Sequence, residues 1–220
     1  MLVGFSPSLA APAESDPSPA PPSIPAPAAS ALSSGAPAQM PTDPAEAMRF
    51  FEADVDNWDK GPAEYLFTPN ERKLWKEVES AEEKRDFIAW FWDRRDDDLR
   101  DRQHPFKEGF YVRVASANER FSGFPRGWRS DRGRVWIVLG RPDGIRSSGL
   151  RNEIWIYNTY GGILRSSSVM GQMEVGFVQV DTAGWEVAGG FGPGAWPAYV
   201  LQAFDIVNRA VIQHPTLEWK

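Results

Sequence analysis

The chain contains no cysteine. This absence excludes a disulfide framework, thiol catalysis, a thiolate metal site and lipid attachment through cysteine. Histidine is nearly absent too. His104 and His214 are the only two, and each precedes a proline, which places both at element boundaries. A two-histidine metal site or a histidine base needs one of them in a cleft beside a carboxylate or serine. Ser130 as a nucleophile for His104 lacks the Gly-x-Ser-x-Gly elbow. No apolar run approaches the length that spans a bilayer. The net charge is −6, which argues against a nucleic-acid partner. Asp96-Asp97-Asp98 does not follow the EF-hand pattern, and Arg94, Arg95, Arg100 and Arg102 neutralise it. It reads as a solvated, charged helix end. Gly189-Gly190-Phe191-Gly192-Pro193-Gly194 reads as a flexible loop, because no Gly-Lys-Ser/Thr follows and Pro193 removes an amide that a phosphate cradle uses. No metal and no cofactor are expected.

The first 45 residues have little charge and a single aromatic side chain, Phe5. They hold eleven Pro and eleven Ala, with only Glu14, Asp16 and Asp43 charged. Such a segment cannot bury enough surface to offset its ordering entropy. It is expected to be a disordered, semi-extended linker. The stretch from Leu2 to Ala11 is apolar, and Ala11-Pro12-Ala13 has the form of a cleavage site, but a positively charged start is missing. It is either the remnant of a signal peptide or an ordinary disordered start. The first reading implies a periplasmic or secreted protein held on a Pro/Ala linker. Residues 46–220 are expected to form one domain. They carry all ten Trp, a large apolar load for that length.

Local signals then place elements. Thr68-Pro69-Asn70-Glu71 combines a cap, a proline at the first helical position and a capping box, and predicts a helix to about Val78. Ser80-Ala81-Glu82-Glu83 repeats the box and predicts a helix burying Phe87, Ile88, Phe91 and Trp92. Trp90 lies off that stripe and is expected to be partly exposed. Phe106, Phe110, Val114, Ala117 and Phe121 align on one face of a third helix beginning near Pro105. Val135-Trp136-Ile137-Val138-Leu139 is apolar throughout and predicts a central strand covered on both faces. Ile154–Tyr157, Val175–Val180 and Trp185–Ala188 read as further strands, with a turn at Asp181-Thr182-Ala183-Gly184. A last helix is expected from about Pro197 to Gln213, with Gln202, Asp205, Arg209 and Gln213 on its polar face. Helices, then strands, then a helix give an α+β fold: N-terminal helices packed on a small, mostly antiparallel sheet, with a C-terminal helix.

Charge divides the domain. Asp43 to Gln103 carries eighteen acidic and eleven basic side chains, whereas Lys107 to Arg151 carries ten basic and four acidic. The two parts are expected to pair across the fold. The alternative is a surface for an anionic ligand, since arginine favours fixed, bidentate partners.

Gly127-Trp128-Arg129-Ser130-Asp131 resembles the signature of the GWxTD-domain family of bacterial proteins, with Ser130 in the place of Thr. Tyr65-Leu66-Phe67-Thr68 with Glu71-Arg72, Phe91-Trp92 with Arg94-Arg95-Asp96, Arg113-Val114 with Ala117-Asn118 and Phe121, Gly140-Arg141-Pro142-Asp143, and Glu153-Ile154-Trp155-Ile156-Tyr157 resemble that family's other blocks, in the same order. The resemblance covers roughly residues 58 to 180. It implies no catalytic residue, because the family has no established activity.

Trp128, Asp131, Arg134 and Asp143 are the candidate binding residues. As structure, Asp131 caps backbone amides in a turn leading into the strand, Gly133 takes positive φ, and Trp128 covers the sheet edge. As function, the same groups form a ligand mouth with an aromatic platform, a carboxylate and a guanidinium. The reading that results is a non-enzymatic binding or interaction module, exported, with a protein or envelope component as partner. One alternative is a glycosidase-type hydrolase using Asp131 and Asp143 as a carboxylate pair. Another is an envelope assembly protein working through surface aromatics such as Trp90 or Trp219.

Overall fold

Helix starts in this chain are written locally, and the structure follows them. The computed structural model describes residues 40–121, 127–160, 163, 171–180, 184–190 and 195–220. Most of the expected linker, the expected turn at 181–184 apart from Gly184, and residues 191–194 of the expected flexible loop lie outside the described residues. Helix α1 (Pro44–Ala53) begins within the last residues assigned to the linker. Asp43 caps it by accepting from the Glu46 amide at 2.8 Å, and Pro44 supplies the preset φ of a first helical residue. Helix α2 (Pro69–Trp75) and helix α3 (Ala81–Asp93) both carry complete capping boxes, from Thr68 with Glu71 and from Ser80 with Glu83. Helix α2 stops at Trp75 rather than Val78, where tight turns close on Leu74 and Trp75. Helix α4 (Pro105–Arg120) buries Phe110, Val114 and Ala117 on the face that the spacing marks.

The run expected to be a central strand is a helix. Helix α5 spans Asp131–Leu139, and Ser130 is its N-cap, accepting from the Gly133 amide at 3.0 Å. A short, wholly apolar run fits a helix buried on every side as well as a buried strand, so periodicity alone does not separate them. Here the ends decide. A serine cap and an acid in the first turn start the helix, and Gly140 at φ +82° with Pro142 beyond it stops it. Val135 to Leu139 are all buried.

The sheet is wholly antiparallel, in the order β1-β2-β3-β4: β1 (Gly144–Ser147), β2 (Asn152–Tyr157), β3 (Met173–Gln179) and β4 (Trp185–Val187). Strand β1 was not legible as a strand in the sequence. Trp155 pairs with Val175, and Phe177 with Val187, so alternate residues share one buried face. That face meets the helices through aromatic contacts: Trp155 lies 4.7 Å from Phe177, 5.9 Å from Trp136 of α5 and 5.8 Å from Phe121 at the end of α4. Helix α6 (Ala198–Ala210) closes the core with Val200, Ala203, Phe204 and Val207.

Two further expectations are corrected. Trp90 is buried, at 8% exposure, because the C-terminal segment covers the second side of α3. Its indole N–H donates to the Leu217 carbonyl at 3.0 Å, and its ring meets Phe87 and Trp219. Among the described residues, the acidic and basic parts do not pair broadly across the fold. Lys107 to Glu52 is an ion pair between them, but the arginines of the basic part sit largely on aromatic rings. Arg120 lies over Trp136, Arg129 over Trp128 and Arg132 over Trp185. Among the described residues, no helix is long and apolar enough to cross a membrane.

Candidate functional site: the signature junction

The sequence blocks become contacts between elements. Glu71 closes its capping box with Thr68 and, fully buried, takes both guanidinium nitrogens of Arg95 at 2.8 and 2.9 Å and Arg94 at 2.9 Å. Arg95 also donates to the carbonyls of Leu66 and Phe91 and lies 3.7 Å from the Phe91 ring centroid. Burial alone would raise the Glu71 carboxyl. The charge and hydrogen bonds of Arg95, with the bonds from Thr68, outweigh that and hold it below its ordinary value. This charged cluster is therefore a lock between α2 and α3.

The signature forms a second lock, between the helices and the sheet. Gly127 takes φ +62°, and a Cβ there would lie 2.4 Å from Asn118 Oδ1. Asn118 of α4 accepts from the Trp128 amide at 3.1 Å and donates to the Pro41 carbonyl at 2.8 Å. Trp128, at 2% exposure, is packed edge-on to Phe51 and beside Tyr65, whose hydroxyl donates to the Trp128 carbonyl. It is a core residue, not a lid over the sheet edge. The Ser130 hydroxyl donates to the Gly127 carbonyl at 2.7 Å and accepts from the Gly133 amide. Both functions of the hydroxyl are occupied, and a threonine would supply the same group. Gly133 lies within α5 rather than at positive φ. It is glycine because a Cβ would sit 2.1 Å from the Gly127 carbonyl oxygen.

Asp131 accepts a backbone amide, but from the sheet rather than from its own turn. In β4, bonds from Ala188 to Gly176 and from Val180 to Gly184 fix the pairing alternation, so Val187 turns its amide away from the sheet. That amide donates to Asp131 Oδ2 at 2.9 Å. Burial raises the Asp131 carboxyl above its ordinary value and Glu186 adds to this, while the Val187 amide and Arg134 oppose it. Arg134 lies over Tyr65, Trp196 and Phe204, with its guanidinium 4.8 Å from the Trp196 ring.

Asp143 is placed elsewhere. Its carboxylate accepts from the Asn158 amide and from the amide and hydroxyl of Thr159, and these bonds hold it below its ordinary value. Asp131 opens α5 and Asp143 lies beyond its Gly140 cap, with the nine residues of the helix, roughly 13 Å long, between them. Of the four candidate binding residues, Trp128 and Arg134 meet at the Tyr65 ring and Asp131 lies within electrostatic reach of Arg134, while Asp143 is bonded to Asn158 and Thr159. His104 faces Asp96, with Nδ1 2.9 Å from Oδ2. Asp96 is buried rather than solvated, and with Asp93 and Asp101 the two line a cleft of 270 Å³. Among the described residues, no group of three or more His, Asp or Glu is placed to hold a metal ion.

Exposed apolar side chains occur on the helices, at Phe50, Val112, Tyr199 and Leu201, and three more lie on the sheet away from the signature. Ser148 donates to the Asn152 carbonyl, so by alternation Ile145 and Ser147 of β1 turn their backbone groups outward. Ile145 is 57% exposed and Leu150, in the β1–β2 hairpin, is 97% exposed. The Gln179 amide bonds the Arg151 carbonyl, which brings exposed Val180 to the same end.

These features define an α+β domain in which a Gly-Trp-Arg-Ser-Asp joint fastens a helical half to one edge of an antiparallel sheet. The model of the GWxTD domain matches residues 59–170, and the chain belongs to the GWxTD-domain family. No curated protein and no solved structure matches the chain.

Proposed function

We propose that this protein is an exported, non-enzymatic interaction module that binds a protein or envelope component through the β1 side of its sheet. The observation that carries the reading is the pair of exposed apolar side chains at the β1–β2 hairpin end, Leu150 and Val180, which the Gln179-to-Arg151 bond brings to the same end, with exposed Ile145 further along β1. Exposed apolar groups collected at one end of a domain mark an interaction surface. The reactive side chains of the signature are occupied, Ser130 by two hydrogen bonds and Asp131 by the Val187 amide, which disfavours a catalytic use of that joint. Export rests on the apolar stretch ending in Ala11-Pro12-Ala13 and the Pro/Ala segment behind it.

The test is affinity capture from a solubilised envelope fraction of the native cells, using the full chain and a Leu150→Asp/Val180→Asp variant. The expected result is a specific partner retained by the full chain and lost by the variant. Capture of nothing beyond a bead control, or equal capture by both proteins, contradicts the reading. Fractionation of cells expressing the intact gene checks export, and recovery only from the cytoplasm sinks that part.

A further inference from the structure

The sheet has two edges, and on one of them an outward amide is capped among the described residues. On β4, the outward Val187 amide is taken by Asp131. On β1, the outward groups of Ile145 and Ser147 meet no partner among the described residues, and residues 145–151 are all exposed. Natural edges are blunted by short length, charged side chains, proline, bulges or cover, and β1 shows the first two, with four residues and an exposed Arg146. Gly144-Ile145-Arg146-Ser147 carries no proline and its one charge points away from the buried face, beside Ile154. Resting on the interaction-module reading above, we propose that β1 accepts an extended acidic peptide as a fifth, edge-paired strand.

Charge selects this occupant. Arg141, Arg146 and Arg151 flank the edge, and all three are exposed. Arg146 pairs with Glu174 at 3.1 Å on the open face, while Arg141 and Arg151 make no side-chain bond among the described residues. Asp143, two residues along the chain from Arg141, is spent on Asn158 and Thr159. An added strand would set alternate side chains beside Ile145 and Ser147 on one face and beside Arg146 on the other. The matching sequence alternates apolar and acidic residues. A second copy of this chain fits poorly, because two β1 edges would bring six arginines together. The first 45 residues fit poorly as well, since eleven prolines remove the amides that strand pairing needs.

The probe is a fluorescein-labelled nine-residue peptide alternating Glu and Val, with a Lys/Val counterpart and a Glu/Val version carrying a central proline. Anisotropy against the full chain should show binding of the first alone, weakened by raised salt. Ile145→Pro removes an amide that faces outward, so the β1–β2 ladder is untouched; it should weaken binding about tenfold or more. Arg141→Glu/Arg151→Glu changes only exposed side chains and should also weaken binding, which keeps the test decisive if the proline variant misfolds. Equal binding of the Lys/Val peptide, or unchanged binding by both variants, overturns the proposal. So does a concentration-dependent dimer that Ile145→Pro abolishes, which would assign the edge to a second copy. If Ile145→Pro still captures the envelope partner while Leu150→Asp/Val180→Asp does not, strand addition falls and the interaction module stands.

Discussion

Strands β4 and β1 are built alike and finished differently. Each is a short edge strand whose alternate residues turn backbone groups outward. At β4 the signature supplies a carboxylate to the outward amide of Val187, and the helix that carries this carboxylate is capped by the preceding Ser130. At β1 nothing described does so, and the exposed side chains nearby include Ile145, Arg146, Leu150 and Arg151 beside Ser147 and Ser148. The difference shows what the signature is for. Its residues join α4, α5 and β4, and each acts through packing or a backbone group. The residues that resemble a ligand mouth in one dimension make structural contacts in three, and on the proposal above recognition falls to the edge that the joint does not cover.

That contrast orders the effects of substitution. Trp128→Ala should be the most damaging, at about 3–5 kcal/mol, because it empties a buried indole site beside Phe51 and Tyr65. Gly133→Ala should follow at roughly 1–3 kcal/mol or more, since its Cβ meets backbone rather than a movable side chain. Asp131→Ala should cost about 1–3 kcal/mol by stranding the Val187 amide. Ser130→Ala should cost about 0.5–2 kcal/mol as a lost cap, and Ser130→Thr should be nearly neutral. Leu150→Asp, on the open side, should stay within about 0.5 kcal/mol of the unmodified protein. Urea melts rank all of these. A Leu150→Asp protein destabilised as much as Asp131→Ala would erase the distinction between the edges.

Acidity sharpens the same point. Asp131 titrates above its ordinary value when folded, because burial disfavours its charge and Glu186 adds to this. The folded state then holds that proton longer than the unfolded chain. The contribution of Asp131 is fully present below the unfolded value and declines as pH rises to the folded one. Glu71 behaves oppositely. Its folded value is lowered, so its contribution is present above the ordinary range and is lost as pH falls through the folded value. Asp131→Asn keeps an acceptor for Val187 and removes only the titration. Relative to the unmodified protein, its denaturation midpoint should rise between about pH 3 and pH 7. A constant offset across that range would count against a buried, titrating Asp131.

Much of this arrangement was legible in the residues, and the misses have physical causes. Helices α2 and α3 were readable because Thr68/Glu71 and Ser80/Glu83 are local, reciprocal hydrogen-bonding pairs. Helix α5 was misread because five consecutive apolar residues carry no period. The signals that identify it, Ser130 before Asp131 and Gly140 before Pro142, lie at its ends. Helix α1 has the same kind of start at Asp43-Pro44, hidden by the Pro/Ala composition around it. Asp131 was readable as an acceptor of backbone amides, but its partner is 56 residues away and belongs to a tertiary contact. Trp90 defeated the stripe argument for a similar reason, since α3 is covered on a second side by residues more than a hundred positions later. Strand β1 is four residues long with one hydrophobic side chain, too little pattern to read before its pairing with β2 is seen.

Amide hydrogen exchange at two positions tests the central claim most directly. Val187 and Ile145 both point outward from edge strands, so without Asp131 both should exchange quickly. The account predicts a protected Val187 amide and a fast Ile145 amide in the unmodified protein. It predicts that Asp131→Ala, studied where it remains folded, releases Val187 alone. A Val187 amide that exchanges as fast as Ile145 in the unmodified protein, or one whose protection survives Asp131→Ala, would contradict it.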